Sequence, residues 1–442
     1  MDSHRHRWFG IMEMENMTAE ILTIGNEVIS GHIQDTNART LASRLNDIGI
    51  WVTRFTSVGD HHATLLEEVD RALGRSDILI TTGGLGSTHD DITKQALAEY
   101  FGMALVTDEK VRSMIEGFYR LRKKPVDRRV LLQCEVPSGA TVLYNKKGTA
   151  PGLLFERDGK KVFVLPGVPL EMEHLLETWV IPDLAKNNTH RVLHRILNTT
   201  GLAESALWEK TGPAEQFEQG VSIASLPSHL GVRIRLTARG TDRDQLVFNL
   251  GRAEAGLRKH LDTWIFSVDD ETLEERVGNL LRERGRTLAL AESCTGGLIA
   301  SRITRIAGSS DYFLQGMVTY SNAAKISRLG VPAELIDAHG AVSEPVARAM
   351  AQGARATTGA DIAVSVTGIA GPGGGSEEKP VGLTFICVSD AKGEWVERHV
   401  FHQDRARNQD RAAQAALNLL RLRLLGVTPD TLAAEPVRGE AV

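Results

Sequence analysis

The chain has 442 residues, more than one ordinary domain holds, so two to four domains are expected. Its 51 basic and 56 acidic side chains leave a net charge of −5, which argues against a general nucleic-acid or membrane-surface role. Cys134, Cys294 and Cys387 lie far apart without CxxC spacing, and no apolar stretch reaches the roughly 18 residues that span a bilayer. A disulfide framework, a zinc knuckle and a membrane role are therefore not expected, and a cytoplasmic location is.

The opening segment, residues 1–17, reads MDSHRHRWFGIMEMENM. It lacks the apolar core of a signal peptide and reads as a flexible leader, with Met17 as the effective start. From there strand and helix alternate. AEILTIG is a short buried strand. TNARTLASRLNDIG is an amphipathic helix with Ala38, Leu41 and Leu45 at helical spacing and Gly49 as its stop. IWVTRFTSVG, ATLLEEVDRALGRS and DILITTGG continue as strand, helix and strand. This repetition predicts an open parallel sheet over residues 18–180, with ligands bound at the carboxyl ends of its strands. Those ends read IGNE, SVGD and TTGGLGSTHDD. KVFVLPGVPLEMEHLLETWV adds a further strand, a turn and a helix to the same domain.

Residues 181–268 change character. HRVLHRILNTTG, VSIASLPS and VRIRLTARG are three short strand candidates around helical pieces, a small α+β module. TWIFSVDDETLEERVGNLLRERG leads into the last domain, and SVDDET supplies N-cap residues and first-turn acids. Residues 269–428 form a second α/β domain. TLALAES, FLQGMVTYS and DIAVSVTG are strands. TGGLIASRITRIAG and SEPVARAMAQGARATTG are helices. VGLTFICVSD and EWVERHVFH are a pair of edge strands, and DRARNQDRAAQAALNLLRLRLLG is a closing helix. Residues 429–442 read as a mobile tail.

Three small-residue blocks of the last domain fall at strand ends of one sheet. Ser293 ends an apolar run and is followed by Thr295, Gly296 and Gly297, a turn whose backbone N–H groups could face a ligand or hold an oxyanion. The same turn also suits a plain helix N-cap. A serine needs a base to become a nucleophile, and Lys325 is a candidate if burial lowers its pKa. Tyr320 could relay the proton or orient the lysine, and Thr367 could bring a hydroxyl to the same surface. The loop Gly368–Gly375 could wrap a phosphate with backbone donors. In the first domain the glycines of GGLGSTHDDIT let the backbone approach a phosphate at a helix start. Asp90 and Asp91, with Asp60 and Glu27 from neighbouring strand ends, could hold a divalent cation such as magnesium. Acids in a first helical turn also occur for dipole reasons alone.

The blocks AESCTGGLIASRIT, GSSDYFLQG, VTYSNAAKISRLGV, HGAVSEPVARAMAQGA, VTGIAGPGGG and KPVG make the last third resemble the nicotinamide-nucleotide amidases, and nearly the whole chain resembles the CinA family. The resemblance implies hydrolysis of the carboxamide of nicotinamide mononucleotide to nicotinate mononucleotide and ammonia, in pyridine-nucleotide salvage. It implies Ser293 as nucleophile, Lys325 as base, and Tyr320 and Thr367 in support, with no cofactor. It further implies Thr295, Gly296, Gly297, Asn322, Gly368, Ala370, Gly371 and Gly373 as substrate-binding residues. In the DRARNQDR block Arg405, Arg407 and Arg411 stand near the site, but Gln409 disturbs the family's arginine spacing and leaves open which arginine meets the phosphate.

GNEVISG, DTNARTLASRL, SVGD, TTGGLGSTHDDIT, GTAPG and LPGVPLEM resemble the MoaB/MogA-like molybdopterin-binding fold fused within CinA proteins. Asn26 stands where an aspartate is usual, and Ser87 and His89 where prolines often are. This likeness implies a nucleotide or phosphate site at Gly83, Gly84, Gly86, Thr88 and Thr93, with Glu27, Asp60, Asp90 and Asp91 around a metal. It implies either metal-dependent hydrolysis of ADP-ribose or a pterin- or nucleotide-binding module without turnover in a competence or damage response. The middle segment resembles the KH-like module of these proteins. It shows no GXXG loop in a basic setting, so nucleic acid is not an expected partner, and a spacer that helps build a homodimer is. The expected fold class is therefore α/β, with two separate α/β domains joined by a small α+β KH-like module.

Overall fold

The computed structural model of the chain describes residues 17–88, 91–186 and 191–428. The proposed leader up to residue 16, the tail 429–442, and His89 and Asp90 lie outside the described residues. Among the described residues seventeen strands follow in chain order. They are β1 (Thr18–Ile24), β2 (Trp51–Val58), β3 (Ile78–Thr82), β4 (Leu105–Thr107), β5 (Glu135–Pro137), β6 (Thr141–Leu143), β7 (Gly152–Arg157), β8 (Lys160–Leu165) and β9 (Arg191–Thr199). The rest are β10 (Ser222–Ser228), β11 (Gly231–Gly240), β12 (Ile265–Val268), β13 (Leu288–Glu292), β14 (Phe313–Val318), β15 (Ile362–Gly368), β16 (Leu383–Asp390) and β17 (Gly393–Val400). The chain divides into two compact units. One runs to Leu193 and includes Arg239–Leu246, and the other takes His194–Ala238 and the chain from Val247.

In the first unit a six-stranded sheet has the order β2-β1-β3-β8-β7-β6. The first four strands are parallel, as their continuous apolar runs predict. Alternate side chains feed two cores. Ile21, Ile80 and Phe163 meet Leu41 and Leu45 of the helix Thr36–Asp47 on one face. Leu22, Leu79 and Val164 meet Leu65, Val69 and Leu97 on the other. That first helix begins at Asp35, whose carboxylate accepts from Ala38 N at 2.8 Å. The sheet is not wholly parallel as expected, because β7 and β6 run antiparallel to their neighbours. The cause is local: Asp158 and Gly159 both adopt positive φ, a two-residue Asp-Gly hairpin turn that sends the chain straight back.

The module sheet, most of whose residues belong to the second unit, has the order β10-β11-β9-β12. TWIFSV does more than lead onward, because β12 pairs antiparallel with β9 and completes this sheet. Leu246, Leu250, Ala253, Leu257 and Leu261, at helical spacing on the helix Arg243–Leu261, are buried. The C-terminal sheet has the order β14-β13-β15-β16-β17. β14, β13 and β15 are parallel, and β16 and β17 return antiparallel. Only β17 of the expected edge pair is an edge; β16 lies inside the sheet and is largely buried. One sheet face packs on the helices Leu273–Glu283 and Arg405–Leu425, the other on Glu344–Thr358. The SVDDET cap forms as a capping box between Thr272 and Glu275. Among the described residues no helix is long and apolar enough to cross a membrane. The three parallel strands of this sheet end side by side at Glu292, Val318 and Gly368, and the candidate site is built on those ends.

Candidate active site

β13 is fully buried and delivers Ser293 to the rim of the sheet. The turn that follows needs a left-handed backbone at Gly296 (φ +63°) and Gly297 (φ +97°), which explains the paired glycines. The helix Leu298–Thr304 starts directly after them. Ser321 caps the helix Asn322–Leu329 by accepting from Ala324 N, and that helix points Lys325 back into the fold. Lys325 is 1% exposed and Ser293 is 8% exposed. Their Nζ and Oγ atoms are 3.0 Å apart.

Lys325 Nζ also donates to Thr319 O at 2.8 Å and to Tyr320 O at 3.4 Å. Burial pushes its pKa below the ordinary lysine value. A neutral amine has two N–H donors and one lone pair. Two carbonyl oxygens and one hydroxyl oxygen surround Nζ: an ammonium donates to all three, and a neutral amine donates to the two carbonyls and turns its lone pair to the Ser293 proton. The neighbouring Cys294 thiol is buried and is pushed up to about 12 by that burial, so it does not compete as a nucleophile.

Tyr320 is placed differently from its expected role. Its side chain is 61% exposed, and its hydroxyl accepts from Arg405 Nη2 at 3.1 Å, so only its carbonyl meets the lysine. The Thr367 hydroxyl is buried and turns away to donate to Ala341 O at 2.8 Å. Arg405 Nη1 donates to Gly371 O at 2.7 Å, which ties the glycine-rich loop to Tyr320. Arg407 faces Asp404 instead, at 3.5 Å, and Arg411 lies over the Phe401 ring. Of the three arginines, Arg405 is the one the structure brings to the site. Gly368 and Ala370 begin the loop, Gly373 is exposed within it, and Asn322 is exposed at its helix start.

Several residues escaped the sequence reading. Gln409 Nε2 donates to Cys294 O at 2.7 Å, and Asn408 Nδ2 to Ala370 O at 3.0 Å. The residue that seemed to disturb an arginine pattern thus anchors the serine turn. The hydroxyl of Thr319, and that of Thr295, which the sequence had already placed in the site, are buried without a partner among the described residues, which fits them for a group of a bound ligand. Glu292, buried at the end of β13, accepts from the N–H groups of Gly297, Ile299 and Ala300. The helix start is therefore not open to a ligand as expected. The only signal for Glu292 was an acid inside an otherwise apolar strand.

In the first unit, Gly83 and Gly84 have positive φ, and a side chain at either would strike Ile24 O or Thr93 Oγ1 at 2.0 Å. Thr93 Oγ1 donates to Gly83 O at 3.0 Å. Asp91 accepts from Gly86 N, Thr88 N and Thr88 Oγ1, so both its oxygens close the loop on itself. Asp60 accepts from Asn26 N at 3.0 Å and ties the ends of β1 and β2 together. Glu27 is exposed beyond them. Among the described residues no three His, Cys, Asp or Glu side chains gather to hold a metal ion. Asp90, the fourth expected ligand, lies outside the described residues. The described side chains do not fit the expected metal site, because the carboxylate best placed for it is already used by the loop.

The folds and the site define a multidomain α/β protein with a buried Ser–Lys pair at the strand ends of its last domain. Comparison with known families matches residues 270–424 to the CinA C-terminal domain, 20–186 to the probable molybdopterin binding domain, and 194–267 to the damage-inducible protein CinA KH domain. A CinA-like protein of Chloroherpeton thalassium is 41% identical over 414 residues, covering 92% of this chain and 99% of its own. A CinA-like protein of Salinibacter ruber is 42% identical over 406 residues, covering 91% and 98%. The crystal structure of a competence/damage inducible protein from Agrobacterium tumefaciens is 42% identical, covering 35% of this chain and 93% of its own, with a TM-score of 0.34. The chain belongs to the CinA family.

Proposed function

We propose that the C-terminal domain is an amide hydrolase acting on nicotinamide mononucleotide. The observation that supports this reading best is the Ser293–Lys325 contact at 3.0 Å with a lysine whose pKa burial lowers. In the proposed reaction neutral Lys325 takes the Ser293 proton as Oγ attacks the carboxamide carbon. The tetrahedral oxyanion is held by backbone N–H groups of the serine turn. The Lys325 ammonium returns its proton to the departing nitrogen, ammonia leaves, and a serine ester of nicotinate mononucleotide remains. Water, deprotonated by Lys325, then attacks the ester and frees Ser293. Arg405 and the Gly368–Gly375 loop would receive the ribose phosphate. No cofactor is needed, and a homodimer in the cytoplasm belongs to the same proposal.

The test is ammonia release by purified protein given nicotinamide mononucleotide. Ser293→Ala and Lys325→Ala should each reduce turnover by at least about 1,000-fold. Turnover retained in Ser293→Ala would remove the serine from the mechanism.

For the N-terminal domain we propose binding of a nucleotide or pterin phosphate at Gly83, Gly84, Gly86 and Thr88. The use of Asp91 within its own loop favours this over metal-dependent ADP-ribose hydrolysis. Release of AMP from ADP-ribose by the wild-type chain with magnesium would reject the binding-only reading.

A further inference from the structure

The backbone groups of the turn Ser293–Leu298 can be accounted for one by one. Ser293 N donates to Val366 O at 3.0 Å, Gly296 N to Ser293 O at 3.1 Å, and Leu298 N to Thr295 O at 3.1 Å. Gly297 N, Ile299 N and Ala300 N donate to the Glu292 carboxylate at 3.0, 3.2 and 2.8 Å. Cys294 O accepts from Gln409. Among the described residues no oxygen accepts from Cys294 N or Thr295 N, and both lie against the Cys294 sulfur, a weak acceptor that an oxyanion would displace. These two amides directly follow the nucleophile.

Glu292 is 1% exposed, and no cation pairs with it among the described residues. A helix start ordinarily attracts an external anion. Here the protein supplies the anion from the preceding strand. We infer that Glu292 is a positioning residue: its carboxylate accepts from three amides of the turn and the helix that follows, fixes the turn, and leaves the Cys294 and Thr295 amides to receive an oxyanion. The inference rests on the amide-hydrolase reading for its substrate, while the geometry of the turn stands apart from it.

The experiment therefore separates the two. Covalent labelling of Ser293 by a fluorophosphonate requires an activated serine and oxyanion donors but no nucleotide contacts. Labelling rates and hydrolysis of nicotinamide mononucleotide are measured on the full chain in wild type, Glu292→Gln and Glu292→Asp, well below each melting temperature. Glu292→Gln keeps the shape and loses the charge. Its labelling rate and kcat should both fall on the order of 100-fold, with KM changed by less than about threefold. Glu292→Asp keeps the charge but cannot reach all three amides, and should lose about tenfold. A purely structural role would lower the melting temperature and leave the labelling rate of the folded protein unchanged, and that result would overturn the inference. If Glu292→Gln does not fold, Glu292→Asp decides, and labelling at the wild-type rate overturns it. Slow labelling of the variants in a chain that hydrolyses no nicotinamide mononucleotide would uphold Glu292 and reject the substrate.

Discussion

Lys325 is held in a place that suits its chemistry and not its solvation. In the unfolded chain it titrates near about 10.4, and in the folded protein burial lowers that value. A depressed folded pKa means its contribution to stability is complete above about 10.4 and is lost as the pH falls through the folded value. At pH 7 the wild type therefore carries a cost that an apolar side chain of similar length would not. Lys325→Met also strips Thr319 O and Ser293 Oγ of a donor, a loss that does not depend on pH, so the expected sign lies in the pH dependence: relative to wild type the variant should be more stable at pH 7 than at about pH 10.5, by on the order of 1–2 kcal/mol. Calorimetry at the two pH values checks this. A variant less stable at pH 7, with a difference that does not change with pH, would mean that the lysine is not a suppressed cation. Catalysis runs the other way: the wild-type rate should rise with pH as Lys325 loses its proton, and the variant should have no such limb.

The element that carries Lys325 is seated by another helix. Gly353, within Glu344–Thr358, lies so close to the end of Asn322–Leu329 that an added Cβ would stand 1.9 Å from Leu329 O. Alanine is the better helix former by about 1 kcal/mol, yet Gly353→Ala should destabilise by about 1–3 kcal/mol because the two backbones must part. Val331 N donates to Lys325 O at 3.3 Å, so the displacement reaches the lysine and ammonia release should fall as well. Denaturant unfolding and the ammonia assay measure the two losses, and a stabilised variant would refute the close contact. This glycine looked like an ordinary helical position in the sequence, since a helix–helix approach leaves no local mark. Strands were readable because apolar runs ended in small residues; Ser293 was readable because it follows such a run, and Lys325 because its TYSNAAK block follows the next one. The antiparallel turn at Asp158–Gly159 was written in the sequence as Asp-Gly between apolar runs, but the strand–helix rhythm around it suggested a parallel sheet. The direction of the Tyr320 side chain was not readable, because its partner Arg405 lies 85 positions away. Glu292 was passed over because acids at strand ends ordinarily face solvent.

Within the second unit, the closing helix Arg405–Leu425 serves two neighbours. Its first turns hold the site through Arg405, Asn408 and Gln409. Its later turns hold the small module: Asp410 pairs with His229 at 3.2 Å, Gln414 Nε2 donates to Thr200 Oγ1 at 3.3 Å, and Arg421 Nη2 donates to Thr263 O at 2.6 Å. Arg421 is almost wholly buried, and burial lowers its guanidinium to about 10, so its remaining partners matter. A fragment of residues 269–428 would keep the sheet, the Ser–Lys pair and Asn418, but would lose Thr263, Thr200 and His229. A fragment of residues 194–428 would keep them all. The longer fragment should retain ammonia release. The shorter should fold and melt lower, since a buried group stripped of a partner costs about 1–3 kcal/mol. Its kcat should fall less than its stability, because the contacts to Gly371, Ala370 and Cys294 come from the first turns of the helix. Calorimetry of both fragments beside the ammonia assay decides the matter. Equal melting temperatures would show that the module contributes nothing to this helix, while loss of activity without loss of stability would place the module in the chemistry itself.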